Sequence, residues 1–151
     1  MPVKIKGLTK FKRRTKKVLP DARSNFAKEM KRIIVDIIVE KVISGLSPVK
    51  GQNRYKEYST GYAKTKGRKS PVDLVGEGKM LENMRARQTS KNDIIIEFPS
   101  AKENKKASYH NEGTDTMPQR KILPSGNEVF KSDIMSKIIK TLENAISKAL
   151  K

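Results

Sequence analysis

The strongest pattern along the chain is a run in which apolar residues return every three or four positions. Phe26, Met30, Ile33, Ile34, Ile37, Ile38 and Val42 recur at helical spacing, and Val35, Val39 and Ile43 widen the stripe. Arg32, Asp36 and Glu40 form the polar ridge, four residues apart. The pattern predicts a long helix from 21 to about 45, opened by Asp21 after Pro20 and stopped by Gly45. A helix apolar over most of its girth needs cover on more than one side. A sheet and a second helix can supply it, and so can a neighbouring subunit.

A second helical stripe closes the chain. Phe130, Ile134, Ile138, Leu142, Ala145 and Ala149 share one face, flanked by Met135, Ile139 and Ile146. Ser125-Gly126-Asn127-Glu128 reads as the capping box that opens this helix. Lys148 and Lys151 suit the negative end of its dipole. Between the two stripes, Asp93-Ile94-Ile95-Ile96-Glu97-Phe98 is a strand by its β-branched run, ended by Pro99. Residues 77–88 read as a short helix with Met80, Leu81 and Met84 on one face, and 88–92 as turn material. Ala101 to Asn111 reads as a short helix carrying Tyr109 and His110. Val3-Lys4-Ile5-Lys6 alternates as one short strand would.

These elements predict an α+β fold, with two long helices packed on a small, mostly antiparallel sheet. Residues 1–20 form a basic N-terminal arm and 21–151 a single α+β domain. Within that domain 46–76 is a loop-rich insertion, a long central loop, and 113–124 an extended arm. A structureless stretch as long as 46–76 is uncommon in a compact domain and points to function or disorder. Tyr55, Tyr58 and Tyr62 lie at helical intervals within it.

Charge sharpens this picture. The 151-residue chain carries a formal net charge of +18 and no Cys. Such an excess attracts polyanions or acidic protein surfaces. Lys10, Lys12, Arg13, Arg14, Lys16 and Lys17 in the arm, and Lys64, Lys66, Arg68 and Lys69 in the loop, are the candidates to face DNA or an acidic partner. No helix-turn-helix, zinc-finger or RNA-binding signature accompanies them, so binding to nucleic acid would ignore sequence. Without Cys there is no disulfide framework and no thiolate metal site. No run approaches the roughly 20 apolar residues that span a bilayer, so no membrane partner is expected. The basic N-terminus is followed by no apolar stretch of the secretory kind.

Catalytic chemistry finds little support. His110 with Glu112 and Asp115 makes a metal-type set, which would suit a small metal-dependent nuclease. A Gly-containing turn holds these side chains loosely, however, and no second His supports them. A local hydrogen bond at a helix end is the plainer role for His110. Gly76-Glu77-Gly78-Lys79-Met80 lacks the hydroxyl and spacing of a phosphate-binding loop. The chain reads as a non-enzyme without cofactor or metal.

The most shaped stretch is Tyr109 to Pro124. Gly113 can take a positive φ, and Pro118 keeps Met117 extended, so the chain should turn and then run out straight. Gly113, Met117, Pro118, Arg120, Ile122 and Leu123 are accordingly expected at a subunit interface, with Arg120 pairing a neighbour's carboxylate. The competing reading tucks Ile122 and Leu123 into the domain's own core.

Tyr109, His110, Gly113, Met117, Pro118, Arg120 and Leu123, followed by a C-terminal helix, resemble the tail-completion and neck proteins of tailed bacteriophages. Ser47-Pro48 after a helix, Tyr58, Tyr62, Pro71-Val72-Asp73-Leu74 and Gly78-Lys79-Met80-Leu81 extend the likeness over roughly residues 22–150. Lys121-Ile122 departs from it, since such proteins more often carry an aromatic there. The resemblance implies a structural virion protein of the neck or head-proximal tail end, a tail-terminating or head–tail joining component. It implies assembly in the host cytoplasm into a homo-oligomeric, six-membered ring. The partners would be other neck or tail proteins and, non-specifically, packaged DNA. The alternative is a non-specific nucleic-acid-binding protein.

Overall fold

The long apolar run folds as α1, Pro20–Ile43, in a computed structural model that describes residues 3–5, 20–90 and 93–149. Ile34, Ile37, Ile38 and Val42 are buried, and Ile33, Val35 and Val39 pack at the edge of the core. Gly45 stops the helix. Its φ is +81°, its N–H returns to the Val42 carbonyl at 3.0 Å, and a Cβ there would meet Pro71 Cβ at 3.0 Å. Only a residue at ease with positive φ fits that approach.

The remaining elements are α2 (Thr60–Lys66), α3 (Lys79–Glu82), β2 (Arg85–Ser90), β3 (Asp93–Glu97), α4 (Ala101–Glu112) and α5 (Ser132–Ala149), with β1 (Val3–Ile5) preceding α1. The architecture is α+β. The sheet is antiparallel in the order β1-β3-β2, with Ile96 opposite both Val3 and Ala86. The isoleucine-rich β3 takes the centre, where both edges are paired. The α1 helix packs against α5 and against β2, which covers two of its sides. Ile134, Ile138 and Leu142 supply the buried face of α5. Lys41–Asp133 at 2.8 Å and Glu40–Lys137 at 2.6 Å join the two helices at the surface. Exposed pairs of this kind contribute about 0–1 kcal/mol each, so the apolar seam carries the packing.

Two elements correct the sequence reading. Residues 77–88 are not one helix. The helix makes a single turn, and Asn83 N–H folds back on the Lys79 carbonyl at 3.0 Å. Asn83 Oδ1 is taken by the Ser100 N–H at 3.0 Å, beside the start of α4. From Arg85 the chain pairs with β3, and Arg87 clasps Glu97 with bonds of 2.7 and 3.1 Å. Second, the last helix does not begin at Ser125. Glu128 does accept the Ser125 N–H at 2.9 Å, as a capping box requires, but its carboxylate also holds Lys121 Nζ at 2.6 Å. Val49 and Phe130 then form a bridge, with Lys50 N–H on the Val129 carbonyl and Lys131 N–H on the Pro48 carbonyl. That pairing keeps the chain extended until Ser132.

The stretch 46–76 contributes Tyr55, Tyr58, Ala63, Val72 and Leu74 to the core and buries Val49 as well, so it is built into the domain. Of the N-terminal arm, Lys10, Lys12, Arg13, Arg14, Lys16 and Lys17 lie outside the described residues. Among the described residues no helix is long and apolar enough to cross a membrane.

Candidate functional site

The segment after α4 builds the most elaborate local structure. Gly113 has φ +77°, as its place in the sequence predicted, and an added Cβ would meet Gln119 N at 3.0 Å. The close approach arises because the chain doubles back. Thr114 and Met117 pair main chain to main chain at 2.8 and 3.2 Å, and Thr114 Oγ1 accepts the Met117 N–H at 3.1 Å. Arg120 N–H then reaches the His110 carbonyl at 2.7 Å.

The expected extended arm is therefore corrected. Arg120, Ile122 and Leu123 do not reach outward; all three are buried in their own domain. Asn111 holds the segment, its Oδ1 accepting the N–H groups of Ile122 at 2.8 Å and Leu123 at 3.0 Å. The Lys121 carbonyl accepts Ser47 Oγ at 2.8 Å and the Tyr55 hydroxyl at 3.0 Å. Main-chain groups satisfied in this way are not free to add to a neighbour's sheet. Met117 and Pro118 remain half-exposed beside the turn.

Arg120 is the centre of the site. Its Nε donates to the Lys56 carbonyl at 3.2 Å, and its Nη2 to the carbonyls of Lys56 at 3.1 Å and Glu57 at 3.2 Å. The guanidinium lies 5.5 Å from the Tyr58 ring centre. Tyr58 in turn donates its hydroxyl to Asp73 Oδ1 at 3.0 Å and packs edge-on against Tyr62 at 4.9 Å. Burial, then the Asp73 hydrogen bond and charge, push Tyr58 up to about 12. Burial alone would raise Asp73. The Val75 N–H, the Tyr58 hydroxyl and Lys66 offset it and hold the carboxyl below its ordinary value. Lys66 and Arg68, expected to face a polyanion, both turn to Asp73, whereas Lys64 and Lys69 stay exposed.

A cavity of about 440 Å³ opens over this network. Tyr58, Tyr62, Leu74, Lys79 and Met80 line it from one half of the chain, and Lys106, His110, Met117, Pro118 and Arg120 from the other. Leu74 adopts φ +53°, a conformation that a branched aliphatic residue enters at a cost. His110 Nδ1 is buried without a hydrogen-bond partner, so the local bond expected for His110 is not made at that nitrogen. Burial first, and the Arg120 charge second, press His110 down to about 4. The ring is therefore neutral at pH 7. Among the described residues no three His, Asp or Glu side chains gather to hold a metal ion.

No family model, curated protein or solved structure matches this chain. The sequence reading missed Asp73, Lys106 and Asn111 as parts of one site. The signal for Asn111 was its place between His110 and Gly113 in the motif, where a buried amide can bond the returning chain.

Proposed function

We propose that this chain is a structural virion protein of a tailed phage, acting in the neck or at the head-proximal end of the tail. The observation that carries the reading is convergence. Some of the residues that bear the resemblance sit far apart in sequence: Tyr58, Tyr62 and Met80 on one side, His110, Met117, Pro118 and Arg120 on the other. They line one cavity. In this role the chain joins, terminates or completes the tail as a homo-oligomeric ring of six, in contact with other neck or tail proteins. It takes no cofactor and catalyses no reaction.

Disrupting the gene in a phage-producing culture tests the proposal. Electron microscopy should show heads and tails that fail to join, or tails of uncontrolled length, restored by supplying the chain. Normal complete particles from the disrupted gene would refute it.

A second reading is non-specific nucleic-acid binding, favoured by the +18 charge and the exposed Lys64 and Lys69. Affinity would then fall steeply with salt, as each neutralised phosphate releases counterions.

A further inference from the structure

The cavity holds an unbalanced charge. Arg120 is 5% exposed, and among the described residues its guanidinium donates only to the carbonyl oxygens of Lys56 and Glu57. Among the described residues no carboxylate pairs with it. A buried cation without a counter-charge is a costly arrangement. Two more cations, Lys79 and Lys106, line the same cavity; Lys106 is paired with the buried Glu103 behind it at 3.2 Å, and among the described residues Glu77 is the one carboxylate in the lining itself. Glu77 already faces Lys79 at 3.6 Å, and both side chains are well exposed. His110 adds no charge at neutral pH, so it leaves the excess positive. The rest of the lining includes Leu74, Met80, Met117 and Pro118, which ask for an apolar occupant.

We infer that this cavity receives an apolar side chain flanked by carboxylates, presented by an acidic segment of a partner protein. Its volume falls in the range of ordinary ligand pockets, about 300–1,000 Å³. The apolar wall takes the side chain, and Arg120, the lining cation without a carboxylate partner among the described residues, supplies the charge that a carboxylate completes. Nucleic acid brings bases that can stack on Tyr62 as well as phosphates, so oligothymidine is the competing occupant against which the acidic–apolar segment is tested. The inference stands on the cavity alone and does not depend on the virion reading.

The test is fluorescence anisotropy of the full chain with a fluorescein-labelled peptide Glu-Asp-Leu-Phe-Glu-Asp. Its controls are the amide counterpart Gln-Asn-Leu-Phe-Gln-Asn, the apolar-free counterpart Glu-Asp-Ser-Gly-Glu-Asp, and oligothymidine. The acidic–apolar peptide should bind saturably and at least about tenfold tighter than either peptide control. Met117→Trp fills the cavity and Lys79→Glu reverses an exposed charge at it. Each should weaken binding about tenfold without lowering the melting temperature. No saturable binding, equal binding of the controls, or binding indifferent to both variants overturns the inference. Oligothymidine that displaces the peptide and loses affinity in the same variants gives the cavity to nucleic acid instead. Self-association abolished by Met117→Trp gives it to a second copy, which equally overturns the proposal.

Discussion

The side-chain amide of Asn111 pairs with the main chain of Leu123: Nδ2 donates to the Leu123 carbonyl at 2.7 Å, and Oδ1 accepts the Leu123 N–H at 3.0 Å. Oδ1 also takes the Ile122 N–H. One buried side chain thus does for this segment what a neighbouring strand does in a sheet. Asn111→Ala would strand three buried main-chain groups, each costing about 1–3 kcal/mol. Urea unfolding should register a loss of about 3 kcal/mol or more. A loss under about 1 kcal/mol would mean that water or another group replaces the amide.

Gly113→Ala should destabilise the chain by about 1–3 kcal/mol, because φ stays positive and the new Cβ strikes Gln119 N. The Cα-to-main-chain approach is the reason, since main chain cannot swing aside as a flexible side-chain tip does. Thermal melting of the variant checks this. An unchanged melting temperature would show that the turn can be rebuilt.

Arg120→Lys should lose about 1–3 kcal/mol although the charge is kept. A lysine ammonium has no planar fork with which to bridge the Lys56 and Glu57 carbonyls and stack on Tyr58. Denaturant unfolding of both variants checks the point, with Arg120→Ala losing at least as much. Stability equal to wild type in Arg120→Lys would leave charge alone as the requirement.

His110 makes stability depend on pH in a defined direction. Its pKa is depressed from the ordinary 6.5 to about 4 in the folded chain, chiefly by burial and then by Arg120. The unfolded chain therefore takes up this proton first as pH falls. The stability tied to the neutral ring is complete above pH 6.5 and declines between 6.5 and 4. The full decline is about 3 kcal/mol at most. His110→Phe should flatten the stability profile across that window, read from urea midpoints at successive pH values. A profile identical to wild type there would assign the acid sensitivity to carboxylates instead.

The sequence made some of this legible and hid the rest for physical reasons. The α1 and α5 stripes, β3 and the helix bearing His110 are local signals, set by periodicity, by β-branched residues and by stops such as Gly45. The positive φ of Gly113 was legible too, because no other residue type is at ease there. The β2 strand was hidden because Arg85, Arg87 and Gln88 have weak strand preference; pairing with β3 decides their conformation. Arg120 looked like a surface cation. Its burial depends on the Lys56 and Glu57 carbonyls, more than sixty residues away, which no local pattern announces. The delayed start of α5 has the same origin, since the Val49–Phe130 bridge competes with the capping box.

The most direct measurement of the central claim is immunogold electron microscopy of complete phage particles, using antibody raised against this chain. The account predicts label at one place per particle, where head meets tail. Particles free of label, or label spread along DNA released from the heads, would contradict it.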